Sequence, residues 1–392
     1  MDSTRRALFK AGIAGIVASH APLALGKPFD NKSFNVWRDG FEAKMIKRMD
    51  AAKVVGASVA IVSRQSTVSY VKSFGFADLG QNRKLTVGTP MHLASVSKLF
   101  TAAALVQLFD RNHLDLHGDV NSFIEFPVVN PNFPGTKITP HQLLTHTSTI
   151  SDEGYGAVSS EGDPTQSISD FLKSYLVEGG SSFSAKHSFD NAKPGTKWNY
   201  SNVAIALAGQ VIESVSKTGF SDYVERHILH PLRINNAHWY LRDFPPDVLA
   251  KPYEFDRRRF VELPQQGYPD VPSGMLRCSI ADLARFIGAM LGSISRPDDF
   301  LSEKLTAEML NRQVSRRLIG YQGLGWVEEE INGRQFIGHS GRDTGASNMV
   351  IVTTDQTQAV MMLMNIEPTD ETDRFRAATI EDLLTGATFA VN

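Results

Sequence analysis

Strand-like alternation in this chain is confined to two regions near opposite ends, and that distribution restricts the fold more than any other feature. Residues 57–63 and 67–74 read as two strands joined by the polar turn Arg64-Gln65-Ser66. Similar runs return only at 324–330, 334–339, 347–354 and 358–364, separated by Asn332-Gly333, a loop around Gly341 to Gly345, and Asp355-Gln356. Strands must pair to satisfy their backbone groups, so the two clusters predict one antiparallel sheet assembled from both ends of the chain. Between about 112 and 255, loops rich in Pro, Gly, Asn and Ser alternate with helices, which reads as a mostly helical insertion. An amphipathic helix over 33–53, with Phe34, Trp37, Phe41, Met45, Ile46 and Met49 on one face, and another over 371–384 are available to cover the sheet. The expected class is α+β: an antiparallel sheet flanked by N- and C-terminal helices, from about 34–111 and 270–390, with a helical part over about 112–269.

Charge and cysteine content exclude several functions. A net charge of −2 argues against nucleic-acid binding. Cys278 is the only cysteine, so neither an internal disulfide nor a cysteine metal cluster is available. The eleven histidines contain no H-E-x-x-H. His113 with His117 and His227 with His230 have helical spacing but no matching carboxylate, and read as surface or structural residues. At the N-terminus, Thr4-Arg5-Arg6-Ala7-Leu8-Phe9-Lys10 precedes an uncharged run over 11–25, broken by Pro22 and too short to span a membrane comfortably. With the small residues around Gly26 it resembles a twin-arginine export signal over 1–26, which implies a periplasmic or secreted mature chain without a membrane span.

The chemistry-bearing stretch is Ala94-Ser95-Val96-Ser97-Lys98-Leu99-Phe100-Thr101. If Ser95 opens a helix, Lys98 lies on the same face beside it, and a serine next to an amine whose pKa is lowered by burial is a nucleophile with its base. S-x-x-K also occurs at Ser69–Lys72 and Ser214–Lys217. The first copy lies in a strand, where residues three apart face opposite sides. The second ends an apolar helix closed by Gly219, where unpaired carbonyls oppose an oxyanion.

Tyr200, in Tyr200-Ser201-Asn202 after the turn Pro194-Gly195, is placed to shuttle protons beside the pair; Asn202 can donate to a substrate carbonyl or cap a helix. The third element is Gly338-His339-Ser340-Gly341, read at the end of a strand, where a glycine lets a substrate backbone approach the edge. It is not a nucleophile elbow around Ser340, because Arg342 replaces the last glycine and a strand follows instead of a helix.

Together these motifs resemble the serine hydrolases grouped with class C β-lactamases, penicillin-binding D-alanyl-D-alanine peptidases and related esterases. The motifs occur in that family's order, with Gly75-Phe76-Ala77-Asp78, residues 143–148, Pro194-Gly195-Thr196 and Ser273-Gly274-Met275-Leu276 as supporting matches. His339 stands where other members have lysine or histidine, and Thr149 where glycine is usual. The resemblance implies a two-part fold with the site in the cleft between the parts, and acyl transfer to Ser95 with Lys98 and Tyr200 sharing the proton work. It further implies an oxyanion hole from the backbone N–H groups of Ser95 and Arg342, and a groove lined by Asn202, His339, Ser340 and Gly341. No metal or organic cofactor is implied; the partner is a small ester, amide or short peptide. Carboxylesterase, D-amino-acid peptidase or amidase, and weak β-lactamase stay open, as does a ligand-binding scaffold without turnover.

Overall fold

Strands from the two ends of the chain meet in one sheet. The computed structural model describes residues 31–64, 66–156, 158–294 and 300–390, so the leader read over 1–26 lies outside the described residues. The strands are β1 (Gly56–Ser63), β2 (Ser66–Asp78), β3 (Arg83–Lys84), β4 (Val327–Ile331), β5 (Arg334–Asp343), β6 (Ala346–Val352) and β7 (Gln358–Met364). They are ordered β4-β5-β6-β7-β1-β2-β3 and pair antiparallel. The join between the two ends is the β1–β7 seam, where Ala57 opposes Met364 and Ser63 opposes Gln358.

Period-two alternation sorts the central strands onto two covered faces. Val59 and Ile61 of β1, Ile351 of β6, and Val360 and Met362 of β7 pack under the terminal helices α1 (Lys32–Ala52) and α7 (Asp370–Phe389). Phe34, Phe41, Met45 and Met49 supply the α1 side, whereas Ile46 is 52% exposed and does not belong to that face. The alternate residues, Ala60, Val62, Val350, Val352, Met361 and Leu363, enter a larger core. That core runs without a break into α2 (Lys98–Arg111), α3 (Pro140–Leu144), α4 (Ile168–Leu176), α5 (Asn202–Ser216) and α6 (Ile280–Leu291). The helical region thus shares its core with the sheet. α2 is buried around its whole circumference from Lys98 to Phe109, which explains why its sequence carries no polar stripe.

Helix boundaries follow local chemistry. Thr139 caps α3 through a reciprocal capping box with Gln142, followed by Pro140. Ser279 caps α6 by accepting from Asp282 N–H. α5 ends at Lys217 in the left-handed region, φ 56°, rather than at Gly219.

The third motif lies within a strand and not at its end. β5 stays paired with β6 from Ile337 to Asp343, and only Thr344-Gly345 turn, with Gly345 at φ 63°. Gly341 is also explained differently from the expectation. A Cβ there would lie 2.3 Å from the Leu93 carbonyl oxygen and 3.3 Å from Ala94 Cβ, so the backbone it admits is the chain's own turn before Ser95. Gly341→Ala is expected to destabilise by about 1–3 kcal/mol, as overpacking does. Thermal melts beside Gly135→Ala, where an added Cβ meets nothing within 4 Å, check this.

Candidate active site

Ser95 lies in a 3-10 turn, Ala94–Ser97, and α2 begins only at Lys98. This tighter turn replaces the expected α-helical start at Ser95, and no side chain caps it. Ala94 is held at φ 49°, a region that costs an L-residue roughly 1–2 kcal/mol. The turn is pinned from several sides. Leu93 N–H donates to the Leu276 carbonyl at 2.9 Å, Leu276 N–H to Ser97 Oγ at 3.1 Å, and Asn348 Nδ2 to the His92 carbonyl at 2.8 Å.

Lys98 is fully buried, and its amine has three acceptors: Ser95 Oγ at 3.0 Å, Asn202 Oδ1 at 2.7 Å and the Ser273 carbonyl at 2.7 Å. Burial lowers its pKa to about 8, opposed by the charges of Asp270, Asp152 and Asp343. Deprotonated, the amine keeps two N–H bonds for Asn202 and Ser273 and turns its lone pair to Ser95. Tyr200 lies beside Ser95 on the same lobe, and its ring centroid is 5.0 Å from Lys98 Nζ. Burial pushes the phenol above its ordinary range, with the nearby Ser95 hydroxyl acting the other way, so Tyr200 is a neutral hydroxyl at rest.

His339 is buried and neutral, its pKa lowered to about 3 by burial and by the nearby Lys98 charge. A carbonyl only accepts, so the 2.7 Å contact to the Ser340 carbonyl places the proton on Nδ1 and leaves Nε2 an acceptor. Ser340 N–H points away from β6, to Glu329 on β4. Two residues on, Arg342 N–H faces the same edge by strand alternation, beyond the first β4 pair at Val327. The Arg342 side chain pairs with Asp373 of α7.

Residues not singled out in the sequence complete the site. Asp152 accepts from Ser201 Oγ at 2.7 Å, Asn202 N–H at 2.6 Å and Val203 N–H at 3.2 Å, fixing the start of α5 and thereby Asn202. His146 accepts from Ser201 N–H at 3.2 Å, and its ring lies 4.4 Å from that of Tyr200. The described part of 151–168 is tied at Asp152, by Tyr155 to Asp270, and by pairing of Ser160 with Gly267. The only sequence signal was its acidic and aromatic residues beside the 143–148 match. The other S-x-x-K copies stay apart: Ser69 and Lys72 lie in β2, with Lys72 paired to Glu42, and Ser214 accepts from Gln210 on α5.

Two lobes open beside Ser95. One of about 330 Å³ is lined by Trp198, Tyr200, Ile319, Val327, Glu329 and His339; another of about 200 Å³ by Tyr155, Asn202, Tyr268, Asp270 and Asp343. Among the described residues no group of three or more His, Cys, Asp or Glu is placed to hold a metal ion. A family profile described as Beta-lactamase matches residues 41–385. The chain belongs to the beta-lactamase family. It is a serine hydrolase with a β-lactamase/transpeptidase fold, as the motifs led one to expect. Penicillin-binding protein 4* of Bacillus subtilis (strain 168) is 27% identical over 341 residues, 83% of this chain and 71% of that protein. The octameric penicillin-binding protein homologue of Pyrococcus abyssi superposes with a TM-score of 0.69 at 24% identity, covering 89% of this chain and 77% of the other. The D-amino acid amidase of Ochrobactrum anthropi SV3 gives 0.71 at 19% identity, covering 92% and 100%.

A lysine with a native pKa near 8 against 10.5 unfolded costs stability below about pH 8, and the cost is relieved as pH rises toward 10.5. Wild type is therefore expected to gain stability relative to Lys98→Met across that window. Denaturant midpoints follow the difference, and lysine-labelled NMR should show a signal titrating near pH 8 that Lys98→Met removes.

Proposed function

We propose that the protein hydrolyses an ester or amide by acyl transfer through Ser95. Neutral Lys98 takes the Ser95 proton as Oγ bonds to the carbonyl carbon, and the backbone N–H groups of Ser95 and Arg342 receive the negative oxygen. The proton passes by way of Tyr200 to the leaving group as its bond to carbon breaks. Water then attacks the acyl-enzyme, giving its proton back through the same groups to Ser95 as the acid departs. Asn202, His339 and Ser340 line the substrate groove, and Gly341 makes room behind them for the Leu93-Ala94 turn that carries Ser95. The observation that carries this reading is the 3.0 Å bond from the buried Lys98 Nζ to Ser95 Oγ, with Tyr200 lining the same lobe beside both. Neutral His339 favours esters and amides whose binding does not require a carboxylate, which makes strong β-lactamase activity unexpected.

Ser95→Ala should abolish both turnover of a short-chain nitrophenyl ester and labelling by a serine-directed phosphonate, read by intact mass. Ser214→Ala and Ser340→Ala should still label. Because neutral Lys98 is the active form, wild-type kcat/KM should rise with pH to a plateau through an apparent pKa near 8. Labelling that survives in Ser95→Ala and disappears in Ser340→Ala would transfer the nucleophile to β5. A labelled protein that never releases its acyl group would be a binding scaffold.

The twin-arginine reading of 1–26 makes the protein an exported one. Among the described residues no helix is long and apolar enough to cross a membrane. Replacing Arg5 and Arg6 by lysine should hold the protein inside the cell, with the leader still attached on a gel; normal export of that variant would refute the reading.

A further inference from the structure

Glu329 occupies a donor that the edge of β5 would otherwise present to a substrate. The last pair between β5 and β4 is Gly338 with Val327, and Ser340 lies two residues beyond it, in the wall of the larger lobe. The Glu329 side chain runs over Gly338, where an added Cβ would lie 3.1 Å from its Cγ, and the carboxylate accepts from Ser340 N–H. The cations beside it share too few carboxylates. Arg342, which lines the lobe, and Arg376 of α7 both pair with Asp373, and the charge of Arg376 also acts on Glu329. Two guanidinium groups against Asp373 leave one positive charge, and Glu329 balances it. His339 is neutral, and the amine of Lys98 is taken by Ser95, Asn202 and Ser273. A backbone N–H next to an unmatched guanidinium is suited to a carboxylate ligand, and here the chain supplies that carboxylate itself. Glu328 also reaches the lobe, but strand alternation sends it off the other face of β4, where it bonds Gln335 at 3.3 Å and shares a second groove with Arg312 and Arg316.

We propose that Glu329 is a specificity-determining residue: an internal carboxylate that fills the strand-edge donor and matches the spare positive charge, and so excludes substrates carrying a carboxylate on the leaving half. The leaving half is the one concerned because Tyr200, which hands it the proton, lines the same lobe as Glu329. Selection of this kind works by repulsion and by occupation of the donor, not by a contact made to the preferred substrate. It leaves neutral leaving groups, alcohols or amines without an acid function, as the accepted class. The inference rests on acyl transfer at Ser95 and adds to it the residue that rejects anions.

The test is kcat/KM of the full-length chain on two esters with the same acyl group, the acetyl ester of 3-hydroxybenzoate and phenyl acetate, which differ by one carboxylate on the leaving half. At about pH 8.5, where Lys98 is mostly neutral, wild type should prefer phenyl acetate several-fold. Glu329→Ala frees Ser340 N–H and uncovers the positive charge, so the ratio of anionic to neutral ester should rise by about tenfold, the difference a charge-assisted hydrogen bond makes. Glu329→Gln keeps an acceptor for Ser340 N–H without the charge; it should move the ratio part of the way, and it stands in if the alanine variant does not fold. Glu328→Gln removes the same charge from the opposite face of β4 and should leave the ratio where it is. Because each ratio is taken within one protein at one pH, the ionisation of Lys98 cancels. A wild type that prefers the anionic ester, a ratio unmoved by the Glu329 variants, or an equal shift in Glu328→Gln overturns the inference and leaves acyl transfer standing. If neither ester turns over in any of these proteins, acyl transfer falls and this inference with it.

Discussion

A buried amine with every N–H placed is the interaction on which the site depends. An ammonium withdrawn from water is strongly unfavourable unless paired and hydrogen-bonded, so the partners of Lys98 have to arrive together. They come from three separate stretches: its own turn, the first residue of α5, and the carbonyl of Ser273. Thr101, three residues further along α2, repeats the last link with a 2.7 Å bond to the Pro272 carbonyl. The lysine thus acts as a local fold determinant as well as a chemical group.

Much of this arrangement was legible in the sequence because it follows from periodicity. The strand clusters, the covering helices and the shared face of Ser95 and Lys98 are consequences of repeats of 2 and 3.6 residues. Recognition of Tyr200 and His339 came from motif order. What stayed hidden depends on contacts distant in sequence. Asp152 binds a helix start fifty residues on, and nothing in its neighbours announces that. Gly341 was legible as a point of close approach, but what approaches is the turn at Leu93, a fact of tertiary packing. β5 runs through the motif because β6 pairs with it as far as Asp343, an extension that local glycines conceal.

Histidine in the third motif changes the character of the groove more than its size. A lysine there would be a fixed cation with donors only, whereas His339 with its proton on Nδ1 offers a lone pair. The tautomer is set by one backbone carbonyl, that of the next residue. At the adjoining strand edge the Ser340 N–H is already taken by Glu329.

The seam between β1 and β7 also bears on how the chain reaches this state. Both faces of β1 are buried, and its neighbour on one side, residues 358–364, is made long after it. Until then the first hairpin has an apolar, unpaired edge, the kind of surface that adds stray strands. Pairing over so long a separation is slow, because the loop must close before the contact rewards it. A nascent or truncated chain lacking Gln358–Met364 therefore exposes an adhesive ribbon along β1.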